Sequence, residues 1–97
     1  MASLSTHVLD TEAGEPASGV KVALYAGSDL VSLQETDTDG RIGDLATIDR
    51  PGEYRLVFYL GGFFDRVELT LSIVDLDRHY HVPLLVSPFS CTTYLGS

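Results

Sequence analysis

The sequence predicts an all-β sandwich of seven to eight short strands. Apolar and polar residues alternate with period two along most of the chain, turn residues recur at short regular intervals, and no segment sustains helical spacing. Leu4–Asp10 reads as the first strand, followed by a turn-rich loop from Thr11 to Gly19 that holds Gly14 and Pro16. Val20–Tyr25 and Leu30–Thr36 read as the second and third strands, separated by Gly27-Ser28-Asp29. Asp37-Thr38-Asp39-Gly40 is a tight turn whose glycine suits a positive φ, and a short strand over Arg41–Ile48 follows it. After Pro51-Gly52, the aromatic and β-branched run Glu53–Leu60 is the clearest strand. Val67–Val74 sets Val67, Leu69, Leu71 and Ile73 against mostly polar neighbours. His79–Ser87 is expected to be a strand interrupted at Pro83, and Cys91–Leu95 closes the set.

The bulk composition narrows the function. A chain of 97 residues fits one domain, and at that size association with further copies would help bury apolar surface. With 44% hydrophobic residues the chain is too apolar for a disordered tail. A net charge of −8, with only six Lys and Arg, argues against binding nucleic acid or an anionic membrane surface. Cys91 is the single cysteine, so no intrachain disulfide or cysteine zinc cluster forms, which fits a reducing, cytoplasmic location. Met1 to His7 has no basic stretch followed by an apolar one, so no export signal is expected there.

Few residues offer chemistry. Of the three histidines, His79 and His81 share one face of a strand, and His7 lies on the first strand. His-x-His with a third histidine is a style of metal chelate, but half-exposed strand histidines with ordinary hydrogen bonds are the simpler reading. Ser5, Ser87, Ser90 and Ser97 are available hydroxyls, yet no Gly-x-Ser-x-Gly elbow supports a triad. Cys91 in an apolar strand reads as a small hydrophobe before it reads as a nucleophile. Arg41, just after the Asp39-Gly40 turn, reads on its own as a solvated turn residue. On the His79–Ser87 strand, Val82, Leu84 and Val86 take one face and His81, Pro83 and Leu85 the other. Two partly apolar faces suggest one in the core and one against a partner.

Several segments share a resemblance. Leu4-Ser5-Thr6-His7-Val8-Leu9-Asp10 resembles the opening motif of the transthyretin-like 5-hydroxyisourate hydrolases, and Asp39-Gly40-Arg41 resembles their Gly-Arg turn. His79-Tyr80-His81-Val82-Pro83-Leu84-Leu85-Val86-Ser87-Pro88-Phe89 is similar to their hallmark, and Thr93-Tyr94-Leu95-Gly96-Ser97 to their ending. The likeness runs from Leu4 to Ser97 and implies a transthyretin-like (prealbumin-like) two-sheet sandwich as a single domain over residues 1–97. It also implies a homotetramer built as a dimer of dimers, with sites where the dimers meet, and no cofactor. His7, Arg41 and His81 are the implied catalytic residues, with Tyr94, Leu95, Gly96 and Ser97 at the substrate. The implied substrate is 5-hydroxyisourate, a urate breakdown product whose ring amide is opened by water. A neutral imidazole would take the proton from water, and Arg41 would stabilise charge on the substrate oxygens. In this family the second histidine of the motif faces the substrate, which sets His79 aside.

The chain departs from the pattern twice. Leu95 stands where the family has Arg, on the parity of Cys91 and Thr93. If that position touches substrate, the lost charged hydrogen bond is expected to cost about 1.5–3 kcal/mol. Leu60–Arg66 is short where the family carries a longer connection with a short helix, and Gly61-Gly62 suggests a tight hairpin turn. The alternative function is a non-catalytic ligand binder on the same scaffold, which Leu95 favours and the set His7, Arg41 and His81 opposes. The stretch from Gly19-Val20 to Val57 also resembles carboxypeptidase-regulatory-like and collagen-adhesin B-type sandwiches, which have no reason to keep the histidine block.

Overall fold

The computed structural model describes residues 1–96, so the expectation for Ser97 lies outside the described residues. Nine strands form: β1 Ala2–Asp10, β2 Glu15–Pro16, β3 Lys21–Ala26, β4 Asp29–Glu35, β5 Arg41–Ile48, β6 Gly52–Tyr59, β7 Arg66–Ile73, β8 His79–Ser87 and β9 Ser90–Thr93. They agree with the strands expected from period two, with the two-residue β2 added inside the loop after β1. One sheet has the order β2-β1-β8-β9, with β5 also paired to β1, and the other has the order β4-β3-β6-β7. No helix occurs among the described residues. None is therefore long and apolar enough to cross a membrane.

The core lies between the sheets. Leu4 and Val8 of β1, Val22 and Leu24 of β3, Leu56 and Phe58 of β6 and Leu84 of β8 are fully buried there. Each such side chain contributes about 1.5–3 kcal/mol by leaving water. Because side chains alternate, these inward residues turn their neighbours on β1 and β8 outward. Ser3, Ser5 and His7 of β1 thus share an outer face with His79, His81 and Pro83 of β8.

Pro83 does not interrupt β8, which runs unbroken for nine residues. Its effect falls on the neighbouring ladder. The Gly96 N–H donates to the His81 carbonyl at 2.7 Å, so the backbone groups of His81, and of Pro83 two residues on, point toward β9. Pro83 has no N–H to offer there. The β8–β9 ladder accordingly stops at Leu84↔Thr93 and returns only as the single bridge His81↔Gly96. The Thr93 hydroxyl donates to the Pro83 carbonyl at 2.8 Å across the gap.

Two connections carry internal hydrogen bonds. Between β6 and β7 the chain makes a loop over residues 60–65 in place of a two-residue turn. Both the Leu60 and Gly61 N–H groups donate to the Asp65 carbonyl, at 2.8 and 3.0 Å. Only Gly61 takes a positive φ, 72°, so the Gly61-Gly62 pair is not the tight hairpin turn expected. The turn before β5 is bound from within. Asp37 Oδ1 accepts from the N–H groups of Asp39 and Arg41, each at 2.9 Å. Gly40 sits at φ 74°, and its carbonyl accepts the Val8 N–H at 2.7 Å. A Cβ there would collide with the Val8 carbonyl oxygen and press on Pro16. Gly40→Ala should therefore destabilise the fold by more than ~1 kcal/mol. Thermal unfolding followed by circular dichroism checks this, and an unchanged Tm would show that the turn relaxes freely.

Candidate active site

Three strands bring the site together on the outer face of the first sheet. His7 on β1 is the cross-strand neighbour of Arg41 on β5. Ser5, two residues before His7, pairs in register with His81 on β8. His7, Arg41 and His81 therefore converge, although 34 and 40 residues of chain separate them in turn. The inward residues between them fix this arrangement. Buried Thr6 donates its hydroxyl to the Val82 carbonyl at 2.6 Å and pins β1 to β8. Tyr80 points inward between His79 and His81, and its hydroxyl donates to the Asp75 carbonyl at 3.2 Å and accepts from the Asp75 N–H at 3.1 Å.

The hydrogen bonds assign protons. His7 Nε2 lies 2.8 Å from the Asp39 carbonyl oxygen. A carbonyl only accepts, so His7 carries a proton on Nε2, and the neutral ring then has its lone pair on Nδ1. The same turn that holds Arg41 thus sets the tautomer of His7. His81 is half-buried, and its Nδ1 lies 2.7 Å from Ser5 Oγ. Burial, reinforced by the positive charge of Arg41 and by His7 and His79, holds its pKa below the ordinary histidine value. His81 is therefore a neutral imidazole at pH 7. Arg41 is exposed, and among the described residues no carboxylate pairs with it. His79 is also exposed and reaches Ser5 and Ser3, a role for Ser5 that sequence reasoning missed.

The C-terminal residues divide. Gly96 packs on His81, where a Cβ would come within 2.9 Å of the ring Cδ2 and 3.3 Å of the carbonyl oxygen. Tyr94 and Leu95 instead line a separate groove of about 470 Å³ with Glu68, Leu71, Val82 and Thr93. The bridge His81↔Gly96 puts Leu95 across from Val82, whose side chain faces the core. Within one chain Leu95 and His81 thus lie on opposite faces. Cys91 packs against the core, and burial raises its thiol pKa, which suits a small hydrophobe. Among the described residues no group of three His, Cys, Asp or Glu side chains is arranged to hold a metal ion.

A β-sandwich that presents a neutral imidazole, a tautomer-fixed histidine and an arginine on one outer face belongs to the class of scaffolds equipped for acid–base hydrolysis. The chain belongs to the HIUase/Transthyretin family, whose model matches residues 4–96. It is 41% identical to a 5-hydroxyisourate hydrolase of Pseudomonas aeruginosa, with 100% of this chain and 93% of that protein covered. That alignment runs over 117 positions, so the relative carries segments that these 97 residues lack. Among solved structures, the Klebsiella pneumoniae 5-hydroxyisourate hydrolase superposes with a TM-score of 0.92 at 32% identity, covering 100% of both chains. Sea bream transthyretin, solved with thyroxine, superposes with a TM-score of 0.87 at 28% identity, covering 97% of this chain and 94% of that one.

Arg41→Ala should raise the His81 pKa, because it removes a positive charge that disfavours the imidazolium. The value should still stay below about 6.5, the ordinary value, because burial is the larger cause. An NMR titration of the ring protons checks both points. A wild-type midpoint at or above the ordinary value would contradict the geometry.

Proposed function

We propose that this chain is a hydrolase that opens the ring of 5-hydroxyisourate, with His7, Arg41 and His81 as its catalytic residues. The observation that carries this reading is the meeting of these three side chains on one outer face, with His81 held neutral and His7 tied through Nε2 to the turn that carries Arg41. His81 presents Nε2, since Nδ1 is engaged by Ser5, and His7 presents Nδ1, since Nε2 is engaged by Asp39. One imidazole takes the proton of the attacking water and the same ring, now protonated at that nitrogen, gives it to the departing ring nitrogen, while the other orients the water. Arg41 places its guanidinium against the substrate oxygens, where negative charge grows as water adds. Gly96 holds the tail close to His81 without filling the space in front of it, and Ser97 follows it in the chain. Water and the three side chains account for every step without a cofactor.

The same reading includes assembly as a tetramer, a dimer of dimers. β7 and β9 are the last strands of their sheets and leave open edges on either side of the groove lined by Leu69, Leu71 and Leu95. Open edges beside an apolar groove favour pairing with another copy over exposure to water. Sedimentation at micromolar concentration should give a tetramer, and a stable monomer would overturn this part.

The direct test adds the protein to freshly made 5-hydroxyisourate and follows its ultraviolet decay. His7→Ala and His81→Ala should each lower kcat/KM by about 10²–10⁴. Activity should fall as pH drops through the depressed pKa of His81, because the protonated ring cannot act as a base. Leu95→Arg should bring no gain in kcat/KM, since the side chain faces Val82 and the groove and turns away from the histidines. A large gain from that variant would place the tail position at the substrate and revise the site. An inactive parent would instead favour a ligand binder.

A further inference from the structure

His81 is joined to a second imidazole by a single hydroxyl. Ser5 Oγ lies 2.7 Å from His81 Nδ1 and 2.7 Å from His79 Nε2, while His79 Nδ1 lies 2.5 Å from Ser3 Oγ. The parallel registers Ser3↔His79 and Ser5↔His81 hold these four groups in one line on the outer face. The line runs from exposed His79, with Ser3 beyond it, through Ser5, only 7% exposed, to half-buried His81. The hydrolytic reading uses only its inner end.

Proton counting restricts this line. Ser5 has one hydroxyl proton, so between two neutral imidazoles it donates to one and accepts from the other. If it donates to His81 Nδ1, both rings carry their protons on Nε2. If it donates to His79 Nε2, both rings carry them on Nδ1, and His81 Nε2 is free to act as a base. The two rings therefore hold matched tautomers.

We propose that Ser5 and His79 are positioning residues that relay protons between His81 and solvent. The proposal rests on the reading of His81 as the group that exchanges a proton with water or substrate. When His81 Nε2 accepts a proton, the Nδ1–H bond breaks and that proton passes to Ser5 Oγ. The Ser5 proton passes to His79 Nε2, the His79 Nδ1 proton passes to Ser3, and Ser3 releases its own to water. One proton enters, one leaves, and no ring stays charged. His81 now carries its proton on Nε2, ready to give it to a leaving nitrogen, and the reverse sequence restores the starting state. The groups that face His81 favour this neutral exchange. His7 from β1, Arg41 from β5 and His79 on β8 all disfavour a lasting imidazolium, and burial does so most. Chains of this kind also polarise one another, which strengthens each link.

The test has two independent readouts. Long-range ¹H–¹⁵N spectra of the whole protein, at a pH where both rings are neutral, should show His79 and His81 in the same tautomer. Opposite tautomers would overturn the relay whether or not the protein is active. In steady-state assays with 5-hydroxyisourate, Ser5→Ala should lower kcat roughly tenfold with little change in KM, less than the 10²–10⁴ of losing a whole acid–base group. His79→Gln, at an exposed position, keeps a donor and an acceptor but cannot pass a proton, and should show the same split. Ser5→Thr, which keeps the hydroxyl, should restore most of the rate. Full kcat in Ser5→Ala or His79→Gln would sink the relay, while an inactive parent with matched tautomers would sink only the functional reading.

Discussion

The parallel pairing of β1 with β8 is the constraint on which the rest depends. It joins the two ends of the chain over eight consecutive partners, from Ser3↔His79 to Asp10↔Val86. A strand buried on one face fixes its register strongly, because a slip of one residue would turn every side chain to the wrong side. Here such a slip would send His81 into the core and bring Val82 out. Leu4, Val8, Val82 and Leu84 thus hold the histidines in place without touching any chemistry. The buried bond from Thr6 to the Val82 carbonyl adds a polar lock at the same level.

The second control is the turn from Asp37 to Arg41. Asp37 gathers two backbone N–H groups, Gly40 supplies the left-handed residue, and the Asp39 carbonyl meets His7. One short turn therefore places the arginine, fixes a histidine tautomer and joins β1 through Val8. Local backbone geometry and the placing of side chains are coupled there. A change that loosens the turn disturbs Arg41 and His7 together, although neither residue is altered.

Much of this was legible in the sequence, and the boundary is instructive. Period two revealed the strands because each buries one face, and the same alternation set His79 and His81 together on the other. Gly40 was legible because few residues but glycine tolerate that backbone. Pro83 was misread because a missing donor was charged to its own strand, whereas the neighbour at its side bears the loss. The position of Leu95 shows the limit most clearly. Parity grouped it with Cys91 and Thr93, and the observed pairs Val86↔Cys91 and Leu84↔Thr93 put that group beside inward residues. Parity within a strand says which residues share a face, but only the partner strand says which face it is. Ser5 escaped for a related reason. Its importance comes from lying across from His81, 76 residues away, and nothing in its local sequence records that pairing.

Fold and chemistry occupy opposite sides of the same sheet. The inner face must fill a shared core, so its residues answer to volume and shape. The outer face of β1, β5 and β8 answers to no such demand and can carry histidines, serines and an arginine at little cost to packing. This separation explains how one sandwich superposes closely on both a Klebsiella hydrolase and a sea bream transthyretin solved with thyroxine. Architecture alone does not distinguish those two. On the proposed reading, the function of this chain rests on His7, Arg41 and His81, side chains of that outer face.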